Sequence, residues 1–213
     1  MFRYLRITSM ADNRFNPAYD NKIYQKFSKK TIESKLENKR LFCEEVGLPF
    51  NKKVPLLCIT FPLTDKNNLS MLMDVMNGIM EQPVEIVLTG IGTAKYQEFF
   101  TALTEKDRNK IAIVENNEDE KRKIYAASDI LLVPTLSDEC VEEAHQAMRY
   151  GVVPVIPPQG FAEDYNPNQE KGSAFVYLKD SPWSLFATLI RALENFKFPY
   201  DWKNIQVTAM ELE

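Results

Sequence analysis

Residues 129–156 constrain the fold of this chain more than any other segment. An apolar run at 130–133 is followed by a polar loop, an amphipathic stretch at 138–150 and a second apolar run at 152–156. Apolar runs this short are typical of buried strands, and Gly151 stands where a helix cap belongs. The segment therefore predicts a strand, a helix and a second strand.

The same alternation runs through most of the chain. Continuous Val, Ile and Leu in the strands indicate that both faces of the sheet are covered, which is typical of parallel sheets. Strictly alternating strands and helices predict βαβ units and a doubly wound, Rossmann-like α/β fold. The predicted strands lie at 55–60, 84–88, 110–114, 130–133, 152–156 and 173–178, and the predicted helices at 29–46, 68–79, 93–104, 119–127, 138–150 and 182–196.

The chain is expected to hold one domain. We place a Rossmann-like domain at 29–196, after an entry loop at 1–28 and before a C-terminal tail at 197–213. A polar loop at 157–171 follows a predicted strand, on the sheet edge that carries the ligand crevice in open α/β folds. The aromatic residues of the tail are interpreted as packing against the domain, with glucan stacking as the alternative.

Composition argues against several classes of protein. A net charge of −4 disfavours nucleic-acid binding, because neutralising phosphates needs a clustered basic excess. No apolar run reaches the roughly 18 residues of a membrane helix. Three widely spaced cysteines with no C-x-x-C pair, and a single histidine, argue against a structural zinc site, which needs about four N/S ligands. We therefore expect no nucleic-acid or membrane partner, no metal or cofactor, and free thiols in the cytoplasm.

Five short motifs follow one another along the chain. They read F-N-P-A-Y-D at 15–20, K-L-E-N-K at 35–39, L-T-G-I-G at 88–92, I-Y-A-A-S-D at 124–129 and A-M-R-Y-G at 147–151. The ordered series resembles the C-terminal domain of glycogen and starch synthases. The resemblance implies half of a GT-B glycosyltransferase, so we expect a domain of a longer protein whose partner is the N-terminal GT-B domain.

That family transfers glucose from ADP-glucose to an α-glucan, and a diphosphate leaving group must be met by cations or free N–H groups. Lys66 aligns with the family's phosphate-binding lysine and Asp138 with a glutamate of its site, which makes both candidate catalytic residues. Phe61 stands in place of the family's arginine, and a phenyl ring cannot grip phosphate. The alternatives are a solvated lysine for Lys66 and a helix cap at Ser137 or Asp138.

The same alignment supplies candidates for binding the nucleotide sugar. Val141 and Glu142 replace Gly-Leu at a helix start, Gln146 replaces a second glutamate, and residues 158–161 keep one glycine of two. Tyr125 is a candidate for stacking on a base, although its helical position in apolar company fits a core residue equally. The binding candidates are Gly92, Tyr125, Cys140, Val141, Glu142, Gln146 and Gly160.

Residues 138–143 place four carboxylates around one predicted helix start. Acidic side chains stabilise a helix N-terminus, but they also occupy the dipole that a phosphate would use. At an effective dielectric constant near 20, a like-charge contact at 4 Å costs on the order of 4 kcal/mol before screening. The sequence therefore predicts weak or absent binding of ADP-glucose. A non-catalytic scaffold, or a domain that binds glucan or protein, is the alternative function.

Overall fold

Six parallel strands form the centre of the molecule. The structure is a computed structural model that describes residues 15–211, so the rest of the predicted entry loop and the end of the tail lie outside the described part. The strand order is β3-β2-β1-β4-β5-β6. The strands are β1 Leu56–Ile59, β2 Glu85–Thr89, β3 Ile111–Val114, β4 Ile130–Leu132, β5 Val153–Ile156 and β6 Phe175–Val176. The predicted doubly wound parallel α/β fold is confirmed.

Seven α-helices within residues 15–211 surround the sheet. Helix α1 packs against α4, and α2 packs against α6. Side chains of β1, β2, β4 and β5 are buried throughout, which accounts for the predominance of apolar residues in these strands. The helices are α1 Lys35–Val46, α2 Leu69–Met80, α3 Ala94–Lys106, α4 Glu118–Ala127, α5 Asp138–Arg149, α6 Pro182–Phe196 and α7 Pro199–Ala209.

Glycine, serine and proline residues account for several of the helix ends. Gly47 ends α1 with a φ of 75°, a left-handed conformation that glycine adopts without steric cost. Ser181 caps α6 by accepting a hydrogen bond from the amide of Ser184, and Pro182 follows at the first helical position. Asn68 precedes α2 as predicted, but it adopts a φ of 52° and its side chain makes no capping bond.

Helix α7 was not predicted from the sequence, which placed a tail at 197–213. Trp202 of this helix is buried between Phe175 and Phe196, with ring centroids 6.2 and 5.1 Å away. Gln206 donates a hydrogen bond of 3.0 Å to the carbonyl of Gly151. Closely spaced aromatic residues obscure the helical period here, and tertiary packing stabilises the helix instead.

A buried ion pair anchors the amino ends of the two central strands. Lys39 of α1 lies 2.7 Å from Asp129, and these side chains are 3% and 12% exposed. The same Asp129 oxygen accepts a hydrogen bond of 2.9 Å from the amide of Leu56. One carboxylate therefore joins α1, the start of β1 and the start of β4.

No helix within residues 15–211 combines the length and apolar character that crossing a bilayer requires. The three cysteines are free and buried. Burial raises the pKa of Cys58 to about 12, which keeps its thiol protonated.

Replacing Asp129 by alanine is expected to lower the free energy of unfolding by about 3–5 kcal/mol, because Lys39 would stay buried without its partner. Urea denaturation measures this change. Asp74 lies exposed on α2, and Asp74→Ala should change stability by less than about 0.5 kcal/mol. An Asp129→Ala variant with the native urea midpoint contradicts the anchoring role.

Candidate functional site

The ligand crevice of this fold lies where the chain reverses its direction of winding. The chain moves outward from β1 to β2 and β3, then returns to β4 on the other side of β1. Loops leaving the carboxyl ends of β1 and β4 therefore diverge and leave a crevice between them. The first loop holds Lys66 and Asn67, and the second loop leads into α5 at Asp138.

Direct contacts tie these two loops together across the crevice. Lys66 Nζ lies 3.1 Å from Glu139 Oε1, and Asn67 donates a hydrogen bond of 3.0 Å to Glu139 Oε2. Ser137 donates a hydrogen bond of 2.7 Å to the side-chain oxygen of Asn67. Glu139 thus forms an ion pair with Lys66, the candidate phosphate-binding lysine, and compensates its positive charge.

Contacts with both partners hold the pKa of the Glu139 carboxyl below its usual range. The hydrogen bond from Asn67 contributes most, and the hydrogen bond and charge of Lys66 add to it. Glu139 is therefore ionised at neutral pH. The side chain of Lys66 is 65% exposed, so solvent screens the pair, and its main effect is on local charge rather than on stability.

The amino end of α5 is capped by the protein itself. Ser137 Oγ accepts a hydrogen bond of 3.2 Å from the amide of Cys140, and Ser137 O accepts one of 3.0 Å from the amide of Val141. Of the two predicted caps, Ser137 is therefore the cap, and Asp138 is the first helical residue with an exposed carboxylate. Of the first four amides of α5, those of Asp138 and Glu139 lack an acceptor within residues 15–211.

Phe61 is completely buried in the core below the crevice. Its side chain packs in the core and brings no charge to the crevice. Lys66 is paired with Glu139.

The loops after β1 and β2 also meet closely. A Cβ atom on Gly92 would lie 2.3 Å from the carbonyl oxygen of Leu63, so only glycine fits there. Leu63 accepts a hydrogen bond of 3.0 Å from the amide of Thr93 and donates one of 2.8 Å to the carbonyl of Ile91. Gly92 thus has a structural reason to be glycine that involves no ligand.

Tyr125 lies beneath the crevice rather than in it. Its ring is fully buried, and its hydroxyl donates a hydrogen bond to Glu143 and lies 3.2 Å from Thr60 Oγ1. Lys121 forms an ion pair with the other oxygen of Glu143. Burial, together with the charge of Glu143, raises the pKa of the Tyr125 hydroxyl well above its usual value. A ring held in this way is not available for stacking on a base.

The other candidates on α5 are divided between the core and the surface. Cys140 is buried, and desolvation raises the pKa of its thiol to about 11. Val141 is half-buried and Glu142 is exposed, where it accepts a hydrogen bond of 3.2 Å from Gln146. Gln146 therefore turns toward an acidic neighbour on its own helix.

The loop after β5 carries the last candidate, Gly160. This residue is exposed, and nothing lies within 4 Å of a Cβ atom built on it. Nearby Phe161 packs on His145 of α5, with ring centroids 4.0 Å apart. Burial and the charge of Arg149 lower the pKa of His145, which favours a neutral packing residue over a general base. No group of three or more metal-ligating residues occurs within residues 15–211.

Asn67 and the pairing role of Glu139 were missed from the sequence. The Asn67–Glu139 contact spans 72 residues and the Lys66–Glu139 contact spans 73. No local pattern links positions so far apart. The one available signal is the position of both segments after neighbouring parallel strands, which brings them to the same edge of the sheet.

A comparison with protein-family models matches residues 55–195 to the family described as Glycosyl transferases group 1. This match covers more than half of the chain. The chain belongs to this family.

Curated relatives place the chain more finely within the group. It is 33% identical to the glycogen synthase of Streptococcus mutans, 32% identical to that of Fervidobacterium nodosum and 30% identical to that of Clostridium perfringens. The matches cover 92–93% of this chain but 42% of each relative. The chain is thus a glycogen/starch-synthase-like glycosyltransferase domain that spans less than half the length of these relatives.

Solved structures confirm the GT-B fold. The catalytic domain of starch synthase IV from Arabidopsis thaliana, bound to ADP and acarbose, matches with a TM-score of 0.84 at 21% identity. The match covers 94% of this chain and 43% of that one. A glycosyltransferase from Rickettsia africae matches with a TM-score of 0.61 over 83% of this chain.

The ion pair across the crevice predicts a measurable change in the acidity of Glu139. In a Lys66→Met variant, the pKa of the Glu139 carboxyl should rise toward its usual value, because a favourable positive charge is lost. An NMR titration of the side-chain carboxyl carbon measures the shift. Lys106→Met on α3 is the control and should leave Glu139 unchanged. Equal Glu139 pKa values in the native protein and in Lys66→Met contradict the pair.

Proposed function

We propose that this chain is the nucleotide-sugar-binding half of a glycogen/starch-synthase-like glycosyltransferase, with a donor site that binds ADP-glucose weakly or not at all. In the parent protein, the domain would face an N-terminal GT-B domain and contribute to glucosyl transfer from ADP-glucose to an α-glucan. The relatives' greater length supports the partner domain, because this chain covers 42% of the glycogen synthase of Clostridium perfringens. We place the domain in the cytoplasm, where its free buried thiols would remain reduced.

The observation that carries the proposal is the set of contacts made by Glu139. A diphosphate needs positive charge and free N–H groups at the start of α5. Glu139 pairs with Lys66 and hydrogen-bonds to Asn67 at that place. A ligand would have to separate the pair and approach the uncompensated carboxylate of Asp138.

Few groups at the crevice could still bind the phosphates or the sugar of a donor. Lys66 could meet the donor phosphates only after leaving Glu139. Asp138 is exposed at the helix start and could accept a hydrogen bond from the sugar. The amides of Asp138 and Glu139 could donate to a phosphate oxygen. Each of these roles competes with a contact or a charge already present.

The alternative function is a non-catalytic domain that binds glucan or protein. Exposed apolar side chains that follow the carboxyl ends of β2, β4 and β6 favour it. Leu178 and Trp183 are 81% and 73% exposed, and Ile91 and Leu136 are 47% and 37% exposed. Aromatic and aliphatic side chains of this kind suit a partner surface or a sugar ring better than a diphosphate. Co-sedimentation with glycogen, compared with that of Trp183→Ala, tests this alternative.

Calorimetric titration with ADP-glucose tests the donor-site proposal. The native domain should show a dissociation constant weaker than about 100 μM, or roughly −5.5 kcal/mol. Glu139→Gln should tighten binding by about tenfold, because it frees Lys66 and removes a negative charge while an amide oxygen still accepts from Asn67.

Glu98→Gln is the matched control, since Glu98 lies exposed on α3 and its loss changes the net charge equally. It should leave the affinity within about twofold. Tight binding by the native domain would refute the proposal. Equal effects of Glu98→Gln and Glu139→Gln would show that only overall charge matters.

A further inference from the structure

A second concave site lies at the opposite edge of the sheet from the crevice. It is a groove of about 780 Å³ between α1, the end of α6 and α7. Lys52 and Lys53 on its wall precede β1, and Asp129 precedes β4, so the groove faces the amino ends of the strands. Its volume falls within the range of about 300–1,000 Å³ that small-molecule sites occupy. We call it the basic groove.

The charge of the basic groove is opposite to that of the whole protein. Its lining holds six lysines and two carboxylates, a formal net charge of +4 on a chain whose net charge is −4. Both carboxylates are already paired, Asp129 with Lys39 and Glu33 with Lys203. The six lysines are Lys35, Lys39, Lys52, Lys53, Lys197 and Lys203.

Two of these lysines, Lys52 and Lys53, have side chains without an ion-pair or hydrogen-bond partner within residues 15–211. Lys35 donates hydrogen bonds to the carbonyls of Tyr125 and Ala126 at the end of α4, and Lys197 pairs with Glu194. Lys52 and Lys53, by contrast, make no ion pair or side-chain hydrogen bond within residues 15–211. Their backbone positions are nevertheless well defined by a turn.

That turn places the two lysines at successive positions on the wall of the groove. Asn51 accepts a hydrogen bond of 3.0 Å from the amide of Val54 at its carbonyl and one of 2.9 Å from the amide of Lys53 at its side chain. Lys52 and Lys53 are therefore the two central residues of a hydrogen-bonded turn, and both are exposed. A turn of this kind reduces the backbone entropy that binding would otherwise cost.

Apart from Gln206, the rest of the groove lining is apolar. Phe196 and Trp202 contribute aromatic rings that pack on each other with centroids 5.1 Å apart. Trp202 also carries a buried indole N–H for which residues 15–211 supply no acceptor. The apolar lining residues are Ile32, Leu36, Phe196, Pro199 and Trp202.

We propose that the basic groove binds a small organic phosphate, with its flat apolar group on the side of Trp202 and Phe196 and its phosphate at Lys52 and Lys53. The apolar lining provides area for a ring, and two uncommitted ammonium groups provide the charge that a phosphate needs. The site is separate from the donor crevice and does not depend on the function proposed for it.

Fluorescence quenching of Trp202 tests the proposal directly. The chain has two tryptophans, so a Trp183→Phe background leaves Trp202 as the sole reporter. 4-Nitrophenyl phosphate is the probe, because it joins a quenching ring to a phosphate. Quenching should saturate with a dissociation constant below about 1 mM.

Paired variants then identify the groups responsible. Lys52→Gln with Lys53→Gln should weaken binding by at least about tenfold. Lys106→Gln with Arg108→Gln removes two exposed charges near the end of α3 and should change it by less than about twofold. Glu139→Gln should also leave it unchanged, which separates the groove from the donor crevice.

Quenching that rises without saturation would overturn the proposal, as would an unchanged dissociation constant in the Lys52 and Lys53 variant. Phenyl phosphate, which lacks the nitro group, serves as the competitor, and inorganic phosphate and phenol each carry one half of it. Both halves should compete at least about tenfold more weakly than phenyl phosphate. Competition by inorganic phosphate at the same concentration would show that the ring takes no part, and would refute an organic phosphate site.

Discussion

The reversal of winding between β1 and β4 is the constraint on which the rest of the molecule depends. These two strands pair over only two residue positions, Leu57 with Ile130 and Cys58 with Leu131. Side chains hold them together at both ends. Asp129 joins Lys39 to the amide of Leu56 at the amino ends, and Glu139 joins the two loops at the carboxyl ends. The short central pairing is thus stabilised at its amino ends by a buried carboxylate, while an exposed carboxylate links the loops at its carboxyl ends.

Glu139, the carboxylate at the carboxyl ends of these strands, also sets the charge of the crevice. Parallel strands and a helix N-terminus make this edge suited to a diphosphate. In this chain Ser137 caps the helix, Glu139 pairs with Lys66, and Phe61 is buried in the core. The proposed weak donor binding rests on this arrangement, in which the lysine beside the helix N-terminus is already paired.

Sequence reasoning was sufficient for the sheet and for six of the seven described α-helices. Apolar runs and helix-ending glycines such as Gly47 are local signals, and each strand appeared where its run predicted it. The site was less accessible to such reasoning. The burial of Tyr125 and the pairing of Lys66 depend on residues far along the chain. Helix α7 was missed because Trp202 and its aromatic neighbours take their positions from tertiary packing.

The most direct test of the neutralised crevice is to follow the backbone amides of Asp138 and Glu139 by ¹H–¹⁵N NMR during a titration with ADP-glucose. These are the two N–H groups at the start of α5 that remain free to meet a phosphate. The account predicts that any shift of either amide stays below half-saturation at a ligand concentration of about 100 μM. Saturable shifts at both amides with a dissociation constant below about 100 μM would contradict it.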